Sequence, residues 1–250
     1  MTGAGPGGHD VEEAVRNVRR SIAEACERAG REPADVRLVA VSKTVALEQV
    51  RRAFAAGVAD FGENRALELA AKAPEVPARW HYLGKLQSGT VRHVADHADV
   101  VHSAEPGTAL ESLAGRAGRN GRSIDCLIEV DFTGARQGVS PEDLPRFAEG
   151  FSGHPVLRPV GLMTIPPPSE DPEGPRPYFA RLRELLDGLR ETAPGLVELS
   201  MGMSSDYEVA VEEGATMVRV GTALFGPRPA LHGLPGRDEH EHHRHGGGAG

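Results

Sequence analysis

Short runs of β-branched and apolar residues return eight times along the chain, near 36–42, 59–63, 79–83, 99–103, 124–131, 156–163, 196–200 and 216–220. Longer stretches lie between them, near 46–57, 64–73, 88–97, 106–119, 141–152, 175–192 and 205–213, with Ala or Leu at helical spacing and charges on the other side. Parallel strands need such crossover helices, so the rhythm predicts successive βα units. No G-x-G-x-x-G opens a helix after an early strand, which weakens an open dinucleotide-binding sheet and favours a single closed (β/α)₈ TIM barrel. A length of 250 residues is typical of one such barrel.

Ahead of the first strand, Val11, Val15, Val18, Ile22, Ala25 and Cys26 share one face of an extra helix over 10–30, which Gly30 stops. The Pro-rich segment 164–177 is expected to be a loop after strand six, placed to cover the barrel mouth. The expected layout is a disordered start over 1–9, the barrel over 10–228 and a disordered His- and Gly-rich tail over 229–250. In that tail His240, His242, His243 and His245 read as a solvated low-complexity segment, and no metal site is expected.

Composition narrows the function. A formal charge of −8 argues against a protein that depends on phosphate-backbone contacts, so no nucleic-acid partner is expected. There is no run of 18 apolar residues and no apolar signal core in the first ten, so no membrane partner is expected and the expected location is the cytoplasm. Cys26 and Cys126 lie far apart without metal-binding spacing, and both are expected to be reduced.

The run "LVAVSKT" at 38–44 stops on Lys43. If Val39 and Val41 face the barrel interior, strand alternation sends Lys43 inward at the C-terminal mouth, where barrel enzymes build their sites. Desolvation there disfavours the ammonium, lowers its pKa and favours an amine able to condense with aldehydes. Strand position alone leaves open that Lys43 reaches solvent or pairs with Glu63. Strand eight, "TMVRVGTALFG", sends Arg219 to the same interior, and Gly221 and Thr222 follow with backbone amides that can approach a phosphate. The loop after strand seven offers Ser200, Gly202 and Ser204, although Ser204 or Ser205 would equally suit as a helix cap. An aldehyde-reactive lysine facing a phosphate cradle describes pyridoxal 5′-phosphate. His81 and Met163 could also approach the ligand, against ordinary packing of His81 on Trp80 and of Met163 in the core.

The stretches "AVSKT" (40–44), "FGENR" (61–65), "WHYLGKLQS" (80–88), "GLMTI" (161–165) and "LSMGMSSDYEVAVEEGATMVRVGTALFG" (199–226) closely resemble the pyridoxal phosphate homeostasis protein family, from about residue 10 to 228. The resemblance implies a barrel like the N-terminal domain of alanine racemase, PLP held as a Schiff base, and a role in vitamin B6 homeostasis without established turnover. It implies Lys43 as the Schiff-base lysine, Asn64 beside the ring, Ser200, Ser204, Gly221 and Thr222 around the phosphate, and Arg219 against the pyridine nitrogen. Two lysine-bearing motifs of the family differ here, at Gln87-Ser88-Gly89-Thr90 and Arg136-Gln137-Gly138, so a second site that depends on those lysines is not implied.

An arginine against the pyridine nitrogen disfavours its protonation and weakens the ring as an electron sink. None of Tyr82, Tyr178 and Tyr207 lies in a segment resembling the one that supplies the racemase's opposing tyrosine. These points favour a monomeric binder that buffers PLP and delivers it to apoenzymes. The alternatives are a PLP-dependent racemase or other amino-acid-converting enzyme, a lysine-dependent aldolase-type barrel without PLP, and an interaction scaffold.

Overall fold

The structure is a computed structural model that describes residues 10–227. The expectations for 1–9 and for the His-bearing tail therefore lie outside the described residues. Eight parallel strands close in sequence order: β1 (Arg37–Val41), β2 (Asp60–Glu63), β3 (Arg79–Tyr82), β4 (Val100–Ala104), β5 (Ile124–Glu129), β6 (Leu157–Met163), β7 (Glu198–Ser200) and β8 (Met217–Val220). Pairing of Val39 with both Asp60 and Arg219 in the Cα register closes the cylinder through β1.

Helix α1 (Val11–Ala29) precedes the barrel. It is capped by the Asp10 carboxylate, which accepts from the Glu12 and Glu13 amides, and ended by Gly30 in the left-handed region at φ 64°. Its stripe of Val11, Val15, Val18, Ile22 and Cys26 is buried, and the helix packs on α2, α8 and α9. The crossover helices are α2 (Leu47–Ala55), α3 (Ala66–Lys72), α4 (Val91–His97), α5 (Thr108–Arg119), α6 (Leu144–Gly150), α7 (Arg176–Gly188) and α8 (Tyr207–Glu212), and a short α9 (Thr222–Phe225) follows β8.

Strand alternation sorts the core in two. Val39, Val100, Leu127, Met163 and Met217 pack inside the cylinder, while Leu38, Ala40, Phe61, Trp80 and Val218 face the helices in the larger outer layer. The N-terminal end of the cylinder carries ion pairs between strands: Arg37 with Glu198 at 2.6 Å, and Asp125 with both Arg79 at 2.5 Å and Arg158 at 2.7 Å. Both cysteines are buried and unpaired, and burial pushes the Cys126 thiol up. Among the described residues no helix is long and apolar enough to cross a membrane.

Most observed elements fall slightly inside the predicted windows, while β4 runs one residue past its own, to Ala104. β5 gives way after Glu129, where Val130 bridges to Val139 and Asp131 turns its carboxylate onto the Thr133 and Arg136 amides. α3 starts at Ala66 because Arg65 is extended, at φ −116° and ψ 121°, after a bend at Asn64 that passes so close to Gly84 that a Cβ there would lie 2.2 Å from the Asn64 carbonyl oxygen.

Candidate functional site

Lys43 lies two residues past the end of β1, in a turn rather than in the strand. The turn runs from Ser42 to Val45 and is closed by the Val45 amide on the Ser42 carbonyl at 3.0 Å. Its third residue, Thr44, has φ 62°, the only positive φ outside glycine among the described residues. Lys43 is half-buried and lines a cavity of about 410 Å³ at the C-terminal mouth. Glu63, a conceivable partner for it, points to the helix layer, where one carboxylate oxygen takes Ser42 Oγ and Lys72 Nζ, each at 2.7 Å.

The same cavity collects Asn64 from the end of β2, Met163 and Ile165 from β6 and its following loop, Ser204 and Ser205, and Arg219, Gly221 and Thr222. Within the Pro-rich segment 164–177, Ile165 reaches the lining. Ser204 does not cap the helix that follows it. Its hydroxyl oxygen accepts the Gly221 amide at 3.2 Å and the Ala223 amide at 3.5 Å, tying the loop after β7 to the start of α9. The helix-start position belongs to Asp206, which accepts the Met203 amide at 2.6 Å. Gly202 holds φ 88° in the same loop and offers its carbonyl to the Arg219 amide at 3.0 Å; a Cβ on it would lie 2.5 Å from the Ala210 Cβ.

Ser200 departs from the sequence expectation. It is fully buried inside the cylinder and does not line the cavity; its hydroxyl accepts from Arg219 Nη1 at 2.6 Å and meets His102 Nδ1 at 2.9 Å. From there the contacts continue through His102 Nε2 to His81 Nδ1 at 2.8 Å and through His81 Nε2 to Asp60 at 2.9 Å. Burial pushes both imidazoles down, strongly for His102, where the neighbouring His81 and Arg219 charges add to it; for His81 the Asp60 contact opposes the shift. With both rings neutral and Asp60 accepting, one arrangement satisfies every contact: Arg219 donates to Ser200, Ser200 to His102, His102 to His81, and His81 to Asp60. His81 thus belongs to this interior chain, not to packing on Trp80, which faces the helix layer against Phe61.

Arg219 is 5% exposed, and its other donor reaches the Thr164 carbonyl at 2.9 Å. Burial lowers its pKa to about 10, so it remains a cation at neutral pH, and no carboxylate lies at ion-pair distance among the described residues. The cavity lining therefore carries a guanidinium and no acidic side chain, the carboxylates that act on Arg219, Asp206 and Glu129, standing outside the lining. It also contains a buried Asn64 Oδ1 with no hydrogen-bond partner among the described residues. Such a lining suits a polar, anionic ligand.

Glu129 also points inside near the mouth. It is 4% exposed, and burial pushes its carboxyl up against the opposing contact from Gln137 at 3.2 Å. Sequence reading passed over Asp60, His102, Thr164 and Glu129. The inward register that singles out Lys43 and Arg219 also marks Asp60, His102 and Glu129, because Val100 and Leu127 are interior and alternate with the last two.

Comparison with known proteins gives the ancestry of this arrangement. Residues 14–229 match the family model described as alanine racemase, N-terminal domain. The pyridoxal phosphate homeostasis protein of Aquifex aeolicus is 42% identical over 222 residues, covering 86% of this chain and 97% of its own. That of Pseudomonas aeruginosa is 43% identical over 223 residues, covering 87% and 96%. Among solved structures, PipY of Synechococcus elongatus, determined with PLP bound, superposes with a TM-score of 0.77 at 37% identity, covering 87% of this chain and all of that one. With most of the barrel inside one family model and relatives matched along nearly their whole length, this chain belongs to the pyridoxal phosphate homeostasis proteins, built on the alanine racemase N-terminal domain.

Proposed function

We propose that this protein binds pyridoxal 5′-phosphate in the mouth cavity and serves its homeostasis in the cytoplasm, holding the coenzyme as a monomer and releasing it to apoenzymes. The observation that carries the reading is the convergence of Lys43, Arg219 and the Ser204–Gly221–Thr222 turn on one cavity of about 410 Å³. Family membership and the PLP-bound relative support it. The lining fits the coenzyme: an orphaned Asn64 Oδ1, a buried cation with no carboxylate beside it in the lining, and glycine-flanked amides.

When bound, the coenzyme supplies an aldehyde that condenses with a primary amine. On this reading Lys43 supplies that amine, Asn64 orients the ring, and Ser204, Gly221 and Thr222 hold the phosphate. Arg219 presents a positive charge to the ring nitrogen and disfavours its protonation. Ser200 acts one step back, fixing the guanidinium that it accepts from.

The test is borohydride reduction of the PLP-loaded protein, followed by peptide mapping. Lys43, Lys72 and Lys85 are the only lysines, so the map has three candidate positions. A single label on Lys43 is expected; a label on Lys72 or Lys85 instead overturns the assignment. Racemisation of an amino acid that disappears in Lys43→Ala would replace the homeostasis reading with an enzymatic one.

A further inference from the structure

Lys72 is 8% exposed at the end of α3, and its ammonium donates in three directions: to the Ser42 carbonyl at 2.7 Å, to Glu63 at 2.7 Å and to Glu68 at 3.2 Å. An ammonium has three donors, so all are committed. The partners are not scattered. Ser42 directly precedes Lys43, and its carbonyl also accepts the Val45 amide that closes the turn. Thr44 directly follows Lys43, and its amide donates to Glu68 at 2.6 Å. The Ser42 hydroxyl donates to the same Glu63 oxygen that Lys72 holds. Both flanks of Lys43 are thereby fastened to one group on the far side of the barrel wall from the cavity.

The turn needs such fastening. Thr44 is β-branched and holds φ 62°, a conformation normally left to glycine or asparagine at this turn position. Strain of this kind persists where the surroundings over-determine it. Without the ammonium, Glu63 and Glu68 would repel each other, the Ser42 carbonyl would lose an acceptor contact, and the chain could relax at Thr44 and swing Lys43 away.

We propose that Lys72, acting with Glu63 and Glu68, is a positioning residue that clamps the strained Ser42–Val45 turn and so aims the Lys43 amine into the cavity. The inference rests on the reading that Lys43 receives the aldehyde. Lys72 touches no part of the cavity lining and acts through the backbone on either side of Lys43.

The test compares two ligands on the full chain: PLP, and pyridoxine 5′-phosphate, which shares ring and phosphate but lacks the aldehyde. Lys72→Met is expected to lose ~10- to 100-fold in PLP affinity and in the rate of borohydride-trappable attachment at Lys43. Pyridoxine phosphate affinity should stay within about twofold, because the phosphate turn is untouched. Adding Thr44→Gly to Lys72→Met should recover most of the loss, since glycine holds the turn without strain. In the ligand-free protein, amide exchange at Thr44 and Val45 should quicken in Lys72→Met. An unchanged PLP affinity, an equal loss of both ligands, or no recovery with Thr44→Gly overturns the clamp. If wild-type protein fails to trap PLP on Lys43, the assignment of Lys43 falls first and takes the clamp with it; the wild-type control tells the two failures apart.

Discussion

Lys43 and Lys72 stand on opposite sides of the same backbone turn, and the fold gives them opposite surroundings. Lys72 faces outward into the layer under α3, where Glu63, Glu68 and the Ser42 carbonyl take its three protons. Lys43 lines a cavity that it shares with Arg219 and whose described lining includes no carboxylate. What separates a lysine committed to the wall from one that lines the cavity is the side of the turn each takes, not its immediate sequence.

That contrast is easiest to break through stability. Lys72→Met removes one partner from a buried charge cluster and leaves Glu63 fully buried beside Glu68, so unfolding free energy should fall by about 3 kcal/mol. Lys43→Met should cost less than Lys72→Met, about 1 kcal/mol, since the side chain is only half-buried and gives way to an apolar chain of similar length. Urea denaturation of both variants measures the difference. Equal losses would show that the two lysines are not divided as the geometry has them.

Acid separates the two faces of the wall further. His81 and His102 are pushed below their ordinary value in the fold, so below about pH 6.5 the unfolded chain takes up protons that the folded one refuses. Stability contributed by these two rings is therefore complete above that pH and is lost as the pH falls. Each contributes up to about 1.4 kcal/mol per pH unit. The groups around them are Asp60, Arg37, Arg79 and Arg219, and only Asp60 opposes the shift. Glu63 and Glu129, raised by burial, pull the other way, so the histidine part must be read as a difference. His102→Asn should flatten the slope of stability between pH 6.5 and pH 5 by about one proton's worth. An unchanged slope would mean that His102 is charged in the folded protein.

Much of this architecture was legible beforehand. "LVAVSKT" puts a cation just past an apolar strand and "TMVRVGT" puts one within the last strand, and extending the alternation was enough to expect Lys43 and Arg219 at the one mouth that both line. The interior chain was hidden because it is assembled across the barrel: Ser200 meets His102 from 98 positions away, and neither "VVHSAE" nor "VELSMG" signals the other locally. Lys72 was hidden for another reason. Its spacing from Glu68 reads as an ordinary surface i,i+4 pair, and only the fold shows that both reach over the end of β1.

Ser200→Ala makes a smaller cut in the interior chain. Arg219 keeps the Thr164 carbonyl but loses its contact at 2.6 Å, and His102 Nδ1 loses its donor. The cost should be about 1.5–3 kcal/mol in stability, as for a buried hydrogen bond to a charged group. A several-fold weaker hold on PLP should follow, with Lys43 still the residue that borohydride labels. Retention of full affinity would mean that Arg219 is aimed by Thr164 alone.

The smallest predicted effect carries the most information about the turn that divides the lysines. Thr44 is exposed, so its side chain contributes little packing, and its amide bond to Glu68 does not depend on side-chain identity. Thr44→Gly should relieve about 1–2 kcal/mol of left-handed strain. Against that, the unfolded chain gains freedom worth about 0.5–1 kcal/mol. The expected net is a stabilisation of about 0.5 kcal/mol, while Thr44→Ala, which keeps a Cβ, should show no such gain. A destabilised glycine variant would mean that Thr44 sits in the turn without strain, and the fastening on its two sides would then be holding something already at rest.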